Sequence, residues 1–429
     1  MTTAAAQYMP GLDELQLPKM YRVEQRFDST HIADVEGAIA EQFARAEIEA
    51  MLEPGRTVAL AVGSRGIAHI DRIVRTAVDE LKRRDVEVFI VPAMGSHGGA
   101  TVEGQLDVLK HMGVTEEAMG APIRSSMEAV EIGSIQSDHG NDVKLYMDKH
   151  AHDGADLIVP INRVKPHTAF KGAVESGICK MLCIGLGKHV GCSRLHREGV
   201  TVFDTLIPAA GKKVIETGKI GFALAIVENA YEQTTVVDAV PAAETLEREA
   251  GLLKIAASRM ARFLMPRIDV LVVEEFGKNI SGIGMDPNIT GRGELGAELT
   301  GFNGPKIQRI VVLGLTDKTY GNAHGIGMAD VITESMFDGI VRRTTWTNTL
   351  TAGTLACGRL PIAMPDERTA IMAAAACVYG VGAADARIVR IKNTLCMTEI
   401  AVSETLLEDV GATADCEVQG EWDGAWRGH

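Results

Sequence analysis

The sequence predicts an α/β fold: two α/β domains whose mainly parallel sheets are flanked by helices. Two neighbouring stretches carry the prediction. Thr57 to Val62 (TVALAV) is an apolar run of strand length, followed by the tight turn Gly63-Ser64-Arg65-Gly66 and then by Ile70, Ile73, Val74, Val78 and Leu81 at helical spacing. The same order recurs at once, with Val86 to Val91 as strand, Ala93 to Gly99 (AMGSHGG) as loop, and Val102, Leu106, Leu109 and Met112 as the helical stripe. Strands covered on both faces read as continuous apolar runs. Consecutive strand–loop–helix units therefore imply a parallel sheet with ligands at its carboxyl edge.

Other elements follow in chain order. Val35, Ile39, Phe43, Ile48 and Met51 recur near helical spacing until Pro54-Gly55 stops the helix. After a less regular segment, Asp156 to Ile161 (DLIVPI) and Phe222 to Val227 (FALAIV) read as further buried strands, and Ala242 to Met260 as a helix. Pro266 punctuates the chain, and Ile268 to Val273 opens a second series, so the domain boundary is expected there, giving 1–266 and 267–429. In the second part Ile310 to Leu315 and Arg387 to Ile391 read as strands, and Asp366 to Cys377 as a buried, Ala-rich helix.

At 429 residues the chain is long enough for two cores, and 46% hydrophobic with 23% charged residues is the balance of an ordinary soluble globular protein. A net charge of −14 argues against nucleic acid as a partner. No basic leader precedes an apolar run at the N-terminus, and the apolar run from Ala370 to Ala384 is too short to span a bilayer. A cytoplasmic protein without a membrane role is the expectation. Seven cysteines without framework spacing fit reduced thiols, and Cys179, Cys183 and Cys192 lack the CxxC pairing of a thiolate metal site.

Against this acidic background the stretch Asn162 to Arg197 stands out. It holds seven basic residues (Arg163, Lys165, Lys171, Lys180, Lys188, Arg194, Arg197) against one acidic, Glu175, interleaved with glycines and His167, His189 and His196. One-sided charge of this kind reads as a pocket for an anionic ligand, the alternative being a basic surface loop. Arg65 and His97 occupy equivalent places in the first two strand–loop units. There a guanidinium beside backbone N–H groups can hold a phosphate, and a histidine in a glycine-rich loop faces a pocket. The turn GSRG is not the dinucleotide fingerprint. Lys278 and Asn279, just past a strand in the second part, are candidates for a substrate carboxylate.

The order V-K-P-H-T-x-F-x-G, E-S-G-x-x-K-M, I-G-L-G-K and L-H between Val164 and His196 resembles the lactate racemase family, which uses a nickel pincer nucleotide. The likeness extends over nearly the whole chain, with the Arg65 and His97 loops and KNISGIGMDPN in the family's order.

The resemblance implies a racemase or epimerase acting at the C2 alcohol carbon of a 2-hydroxy acid or sugar acid, by proton-coupled hydride transfer. Its cofactor is a pyridinium-3,5-dithio-type mononucleotide carrying nickel, attached through a thioamide to the lysine matched by Lys180. The family's metal-binding histidine falls on His196, the catalytic acid/base pair on His167 and His97, and the phosphate-holding arginine on Arg65; Ser64 and Lys165 join the cofactor-binding set.

On this view residues 1–266 bind the cofactor, 267–429 close over the substrate, and the active site lies in the cleft between them. The implied partners are a small acidic substrate and the enzymes that make the cofactor, with homo-oligomerisation left open. The chain departs from the lactate-specific pattern at Gly63 to Gly66, at His97-Gly98-Gly99 and at Glu175-Ser176-Gly177, so a larger hydroxy acid or sugar acid is expected as readily as lactate. Two other classes remain: a non-catalytic protein that binds a nucleotide or acidic metabolite, and an NAD(P)-dependent oxidoreductase.

Overall fold

Thr57–Val62 and Glu87–Pro92 are adjacent parallel strands, as their apolar runs require, and Leu157–Arg163 and Phe222–Glu228 extend the sheet on the other side of Thr57–Val62. Thr234–Pro241 closes the five-stranded order antiparallel to Phe222–Glu228. Side chains alternate between two cores. Val58, Leu60 and Val62 pack with the helices Val35–Phe43 and Ile70–Lys82, while Ala59 and Ala61 face Ile178, Met181 and Leu182. The small alanines let the segment that carries Lys180 lie close to the sheet.

The computed structural model describes residues 7–64, 66–293 and 305–426. Its chain divides into two compact units, Asp28–Met260 and a discontinuous one made of Met1–Phe27 with Ala261–His429. The expected boundary at Pro266 is thus displaced, and the N-terminal residues do not belong with the first unit. The cause is the strand Met20–Gln25, which pairs antiparallel with both Glu399–Ser403 and Cys416–Glu421. Its sequence, MYRVEQ, shows no long apolar run, and its partners lie at the far end of the chain.

The discontinuous unit holds an eight-stranded sheet. Five strands are parallel, in the order Ile362–Met364, Val331–Thr333, Lys306–Leu315, Arg267–Phe276, Ile388–Ile391, and the remaining three join antiparallel. The Ala-rich helix Glu367–Ala376 is buried against this sheet, as expected. Two local expectations are corrected. The helix expected from Val35 to Met51 breaks into Val35–Phe43 and Ala46–Glu49, and the less regular segment contains a hairpin, Ala129–Gln136 with Asp142–Asp148. Among the described residues no helix is long and apolar enough to cross a membrane.

Candidate functional site

Lys180 ends the short helix Ile178–Lys180, and the backbone then widens into a π-helical turn over Met181–Gly185, where the Leu186 N–H donates to the Met181 carbonyl at 2.9 Å. Such widened turns are frequent at functional sites. The start of this segment is fixed by Glu249, on the helix Thr245–Arg259, whose carboxylate accepts the Cys179 N–H at 2.8 Å. A side chain at position 177 would meet Glu249, since a Cβ there lies 2.2 Å from Oε1; hence Gly177.

The Lys180 Nζ lies 2.5 Å from His167 Nε2. On the other side of the ring, the Ala169 N–H donates to Nδ1 at 3.0 Å. A neutral imidazole has one N–H, so with Nδ1 accepting, the proton sits on Nε2 and the Lys180 amine is the acceptor. That is the nucleophilic form of a lysine. Burial comes first in holding His167 well below the usual histidine range, followed by Lys180, whose charge whenever the amine is protonated disfavours a second one on the ring, and by Lys171, His196 and Lys165. Glu175 secures the loop by accepting from the His167 N–H at 2.6 Å, from Lys171 Nζ at 3.2 Å and from the Gly172 N–H at 3.3 Å.

His196, at the end of the helix Lys188–His196, has its Nδ1 2.7 Å from the Cys192 carbonyl. A carbonyl only accepts, so Nδ1 carries the proton and Nε2 keeps its lone pair, the arrangement of a metal-binding histidine. Burial disfavours both charged forms in the Cys192–His196 pair, but their mutual contact at 3.5 Å outweighs it, drawing the Cys192 thiol down and the His196 ring up. Cys179 and Cys183 are pushed the other way by burial, Cys183 to about 12, so neither is a ready thiolate. Among the described residues no three His, Cys, Asp or Glu side chains converge as a metal cluster.

Contacts tie these segments together. Ser96 Oγ lies 3.6 Å from Cys192 Sγ, which brings the His97 loop to the His196 helix. His167 stacks on Phe170 at 4.5 Å between centroids, Phe170 meets Phe203 at 5.5 Å, and Phe203 meets the His196 ring at 5.3 Å. His97 is exposed, and its Nδ1 bonds the Ser64 hydroxyl across the two loops. Its loop turns back sharply, because Gly98 has φ +65° and would place a Cβ 2.5 Å from the Gly104 backbone. Lys165 donates its backbone N–H to Ser176 at 2.8 Å, and Arg65 lies outside the described residues.

The positive charge is less one-sided than the sequence implies. Arg163 pairs with Glu228, Lys171 with Glu175, and Lys188 with Asp148. Lys188 is wholly buried: it donates to the Pro92 carbonyl at 2.9 Å and to Gln105 Oε1 at 3.2 Å, while Gln105 Nε2 holds the Gly95 carbonyl at 3.0 Å. It braces the His97 loop instead of facing a ligand. Sequence reasoning also missed Glu249 and Gln105, which lie in ordinary helical patterns and give no motif.

In the discontinuous unit Lys278 and Asn279 follow the strand Arg267–Phe276. Lys278 Nζ bonds Asn348 Oδ1, which also accepts from Asn322 Nδ2 at 3.2 Å, and Thr316 Oγ1 donates to Asn279 Oδ1 at 2.5 Å. Burial and then Lys278 push the neighbouring His324 down to about 4. These polar groups gather at the carboxyl ends of that unit's parallel strands.

Glu249 yields a pH prediction. Desolvation lifts its carboxyl from 4.5 to about 7 despite the N–H groups it accepts. The folded state therefore holds a proton that the unfolded chain releases. The associated stability is complete below about pH 4.5 and is lost as pH rises through about 7, at most about 3 kcal/mol. Thermal unfolding across this window should show a smaller loss for Glu249→Gln than for wild type. Equal slopes would remove Glu249 as the cause.

No protein-family model and no curated protein matches the sequence. Among solved structures, a protein from Thermotoga maritima aligns with TM-score 0.51 and 13% identity over 76% of this chain and 83% of its own. The lactate racemase apoprotein from Thermoanaerobacterium thermosaccharolyticum aligns with TM-score 0.53 and 14% identity over 88% of this chain and 99% of its own. At such identities the likeness is one of fold, and this chain has a lactate racemase-like fold.

Proposed function

We propose that the protein is a racemase or epimerase of 2-hydroxy acids or sugar acids, working with a nickel pincer nucleotide bound covalently at Lys180. The observation that carries the reading is the Lys180–His167 contact, which presents a lysine amine without its extra proton. An amine must be in this form to make an amide-type bond. The lactate racemase-like fold supports the reaction class.

The residues present fit such a group. Lys180 offers the nucleophilic nitrogen, His196 a lone pair on Nε2, and the ends of two parallel strands the loops of Ser64 and His97. When bound, the cofactor would supply a hydride acceptor next to the substrate's C2. The protein's part is proton transfer and positioning. His167, which carries its ring proton on Nε2, would give that proton to the substrate's C2 oxygen on one face once Lys180 is committed to its covalent bond, and take it back in the reverse direction. His97, oriented by Ser64, would serve as acid or base on the other face. Lys278, with Asn279 beside it, is proposed as a carboxylate-binding group of its own unit.

Protein co-produced with the cofactor-making enzymes should show a mass adduct on the peptide containing Lys180 and stoichiometric nickel. It should also scramble the C2 configuration of at least one member of a panel of 2-hydroxy and sugar acids. Full activity in unmodified, nickel-free protein would overturn the reading.

A further inference from the structure

After Thr57–Val62 the chain steps outward to Glu87–Pro92, then returns to place Leu157–Arg163 on the opposite flank of Thr57–Val62. The connections from these two adjacent strands diverge, and the crevice between the carboxyl ends of such strands is where open α/β sheets receive ligands. Asn162 stands there. Val62 pairs with Ile161, so Gly63 lies alongside Asn162 on one flank, while Ala225 pairs with it on the other. Both neighbours are small.

Along the strand, Leu157, Val159 and Ile161 enter one core, and Ile158 enters the core of Cys179, Met181 and Leu182. By the same alternation Asn162 shares the face of Ile158, over which the Lys180 segment packs. It is 6% exposed, and neither its Nδ2 nor its Oδ1 has a hydrogen-bond partner among the described residues. Buried amides with both ends unmade are rare, because each unmade bond carries a desolvation penalty.

We propose that Asn162 is a ligand-binding residue that receives a hydroxyl or a vicinal diol. The amide presents a donor and an acceptor side by side. A carboxylate or phosphate would satisfy Nδ2 alone and set its charge against Oδ1, and an ammonium would satisfy Oδ1 alone; a hydroxyl both donates and accepts. Two sources offer that chemistry at this site: the ribose of a mononucleotide and the alcohol of a hydroxy acid. The inference deepens the proposed function by naming a contact in the same site. It depends neither on nickel nor on a bond at Lys180, which the mass measurement reads separately.

The test uses unloaded full-length protein. Calorimetric titration of wild type, Asn162→Leu and Asn162→Asp with nicotinate mononucleotide and, separately, with glycerate reads affinity, and thermal unfolding without ligand reads stability. Wild type should bind at least one probe at millimolar concentration or better, and both variants should weaken that binding by about tenfold or more. Loss confined to the nucleotide assigns the ribose; loss confined to glycerate assigns the substrate alcohol. Ligand-free Asn162→Leu should melt a few degrees above wild type, because an apolar side chain relieves the unmade bonds. If Asn162→Leu does not fold, the near-isosteric Asn162→Asp carries the affinity comparison. Wild type binding neither probe, unchanged affinity in the variants, or a lower melting temperature for folded Asn162→Leu overturns the proposal.

Discussion

Lys180→Ala, produced alongside the cofactor-making enzymes, is expected to carry no covalent adduct and to lose activity by on the order of 10⁴-fold or more. Its melting temperature should stay within a few degrees of wild type, because Lys180 is only partly buried. Lys180→Arg should be equally inactive: a guanidinium keeps the charge but does not form the amide-type bond. Intact mass and racemisation assays on the same samples check both statements. Substantial activity in either variant would move the covalent anchor elsewhere or dispense with it.

The second large effect is expected at Lys188. Lys188 and Asp148 are both 0% exposed and their charges lie 2.8 Å apart. Removing one partner of a buried pair leaves the other charge uncompensated, at a cost of about 3–5 kcal/mol. Lys188→Met should therefore lower the melting temperature by roughly 10 °C. The double variant Lys188→Met/Asp148→Leu should regain part of the loss, since an apolar replacement of both partners removes the stranded charge. The single variant should also slacken the His97 loop, because Lys188 holds both the Pro92 carbonyl and Gln105. A single variant that melts like wild type would show that water reaches Asp148.

Much of this was legible in the chain. The four parallel strands of the Asp28–Met260 unit are continuous apolar runs, so their existence and arrangement followed from composition and spacing, with ends displaced by a residue or two, whereas the antiparallel Thr234–Pro241 was not foreseen. The nearness of Lys180, His167 and His196 was legible only as order along the sequence. What was not legible depended on pairing over distance. Lys188 looked like one more ligand-facing cation because nothing near it in sequence announces Asp148 as its partner. Glu249 is an unremarkable helical glutamate until its helix packs beneath the start of the Lys180 segment. Asn162 ends an apolar strand, and only the sheet order identifies that end as the crevice.

The strand Met20–Gln25 has a consequence for how the molecule is made. It is synthesised before the Asp28–Met260 unit, yet both its partners, Glu399–Ser403 and Cys416–Glu421, come after that unit. The Asp28–Met260 unit is continuous and can condense while the ribosome is still working. The eight-stranded sheet must wait until Cys416–Glu421 has been made, with an unpaired strand edge exposed in the meantime. Biogenesis should accordingly run from the middle of the polypeptide outward, and nascent chains stalled before Glu399 should engage chaperones through their N-terminal segment.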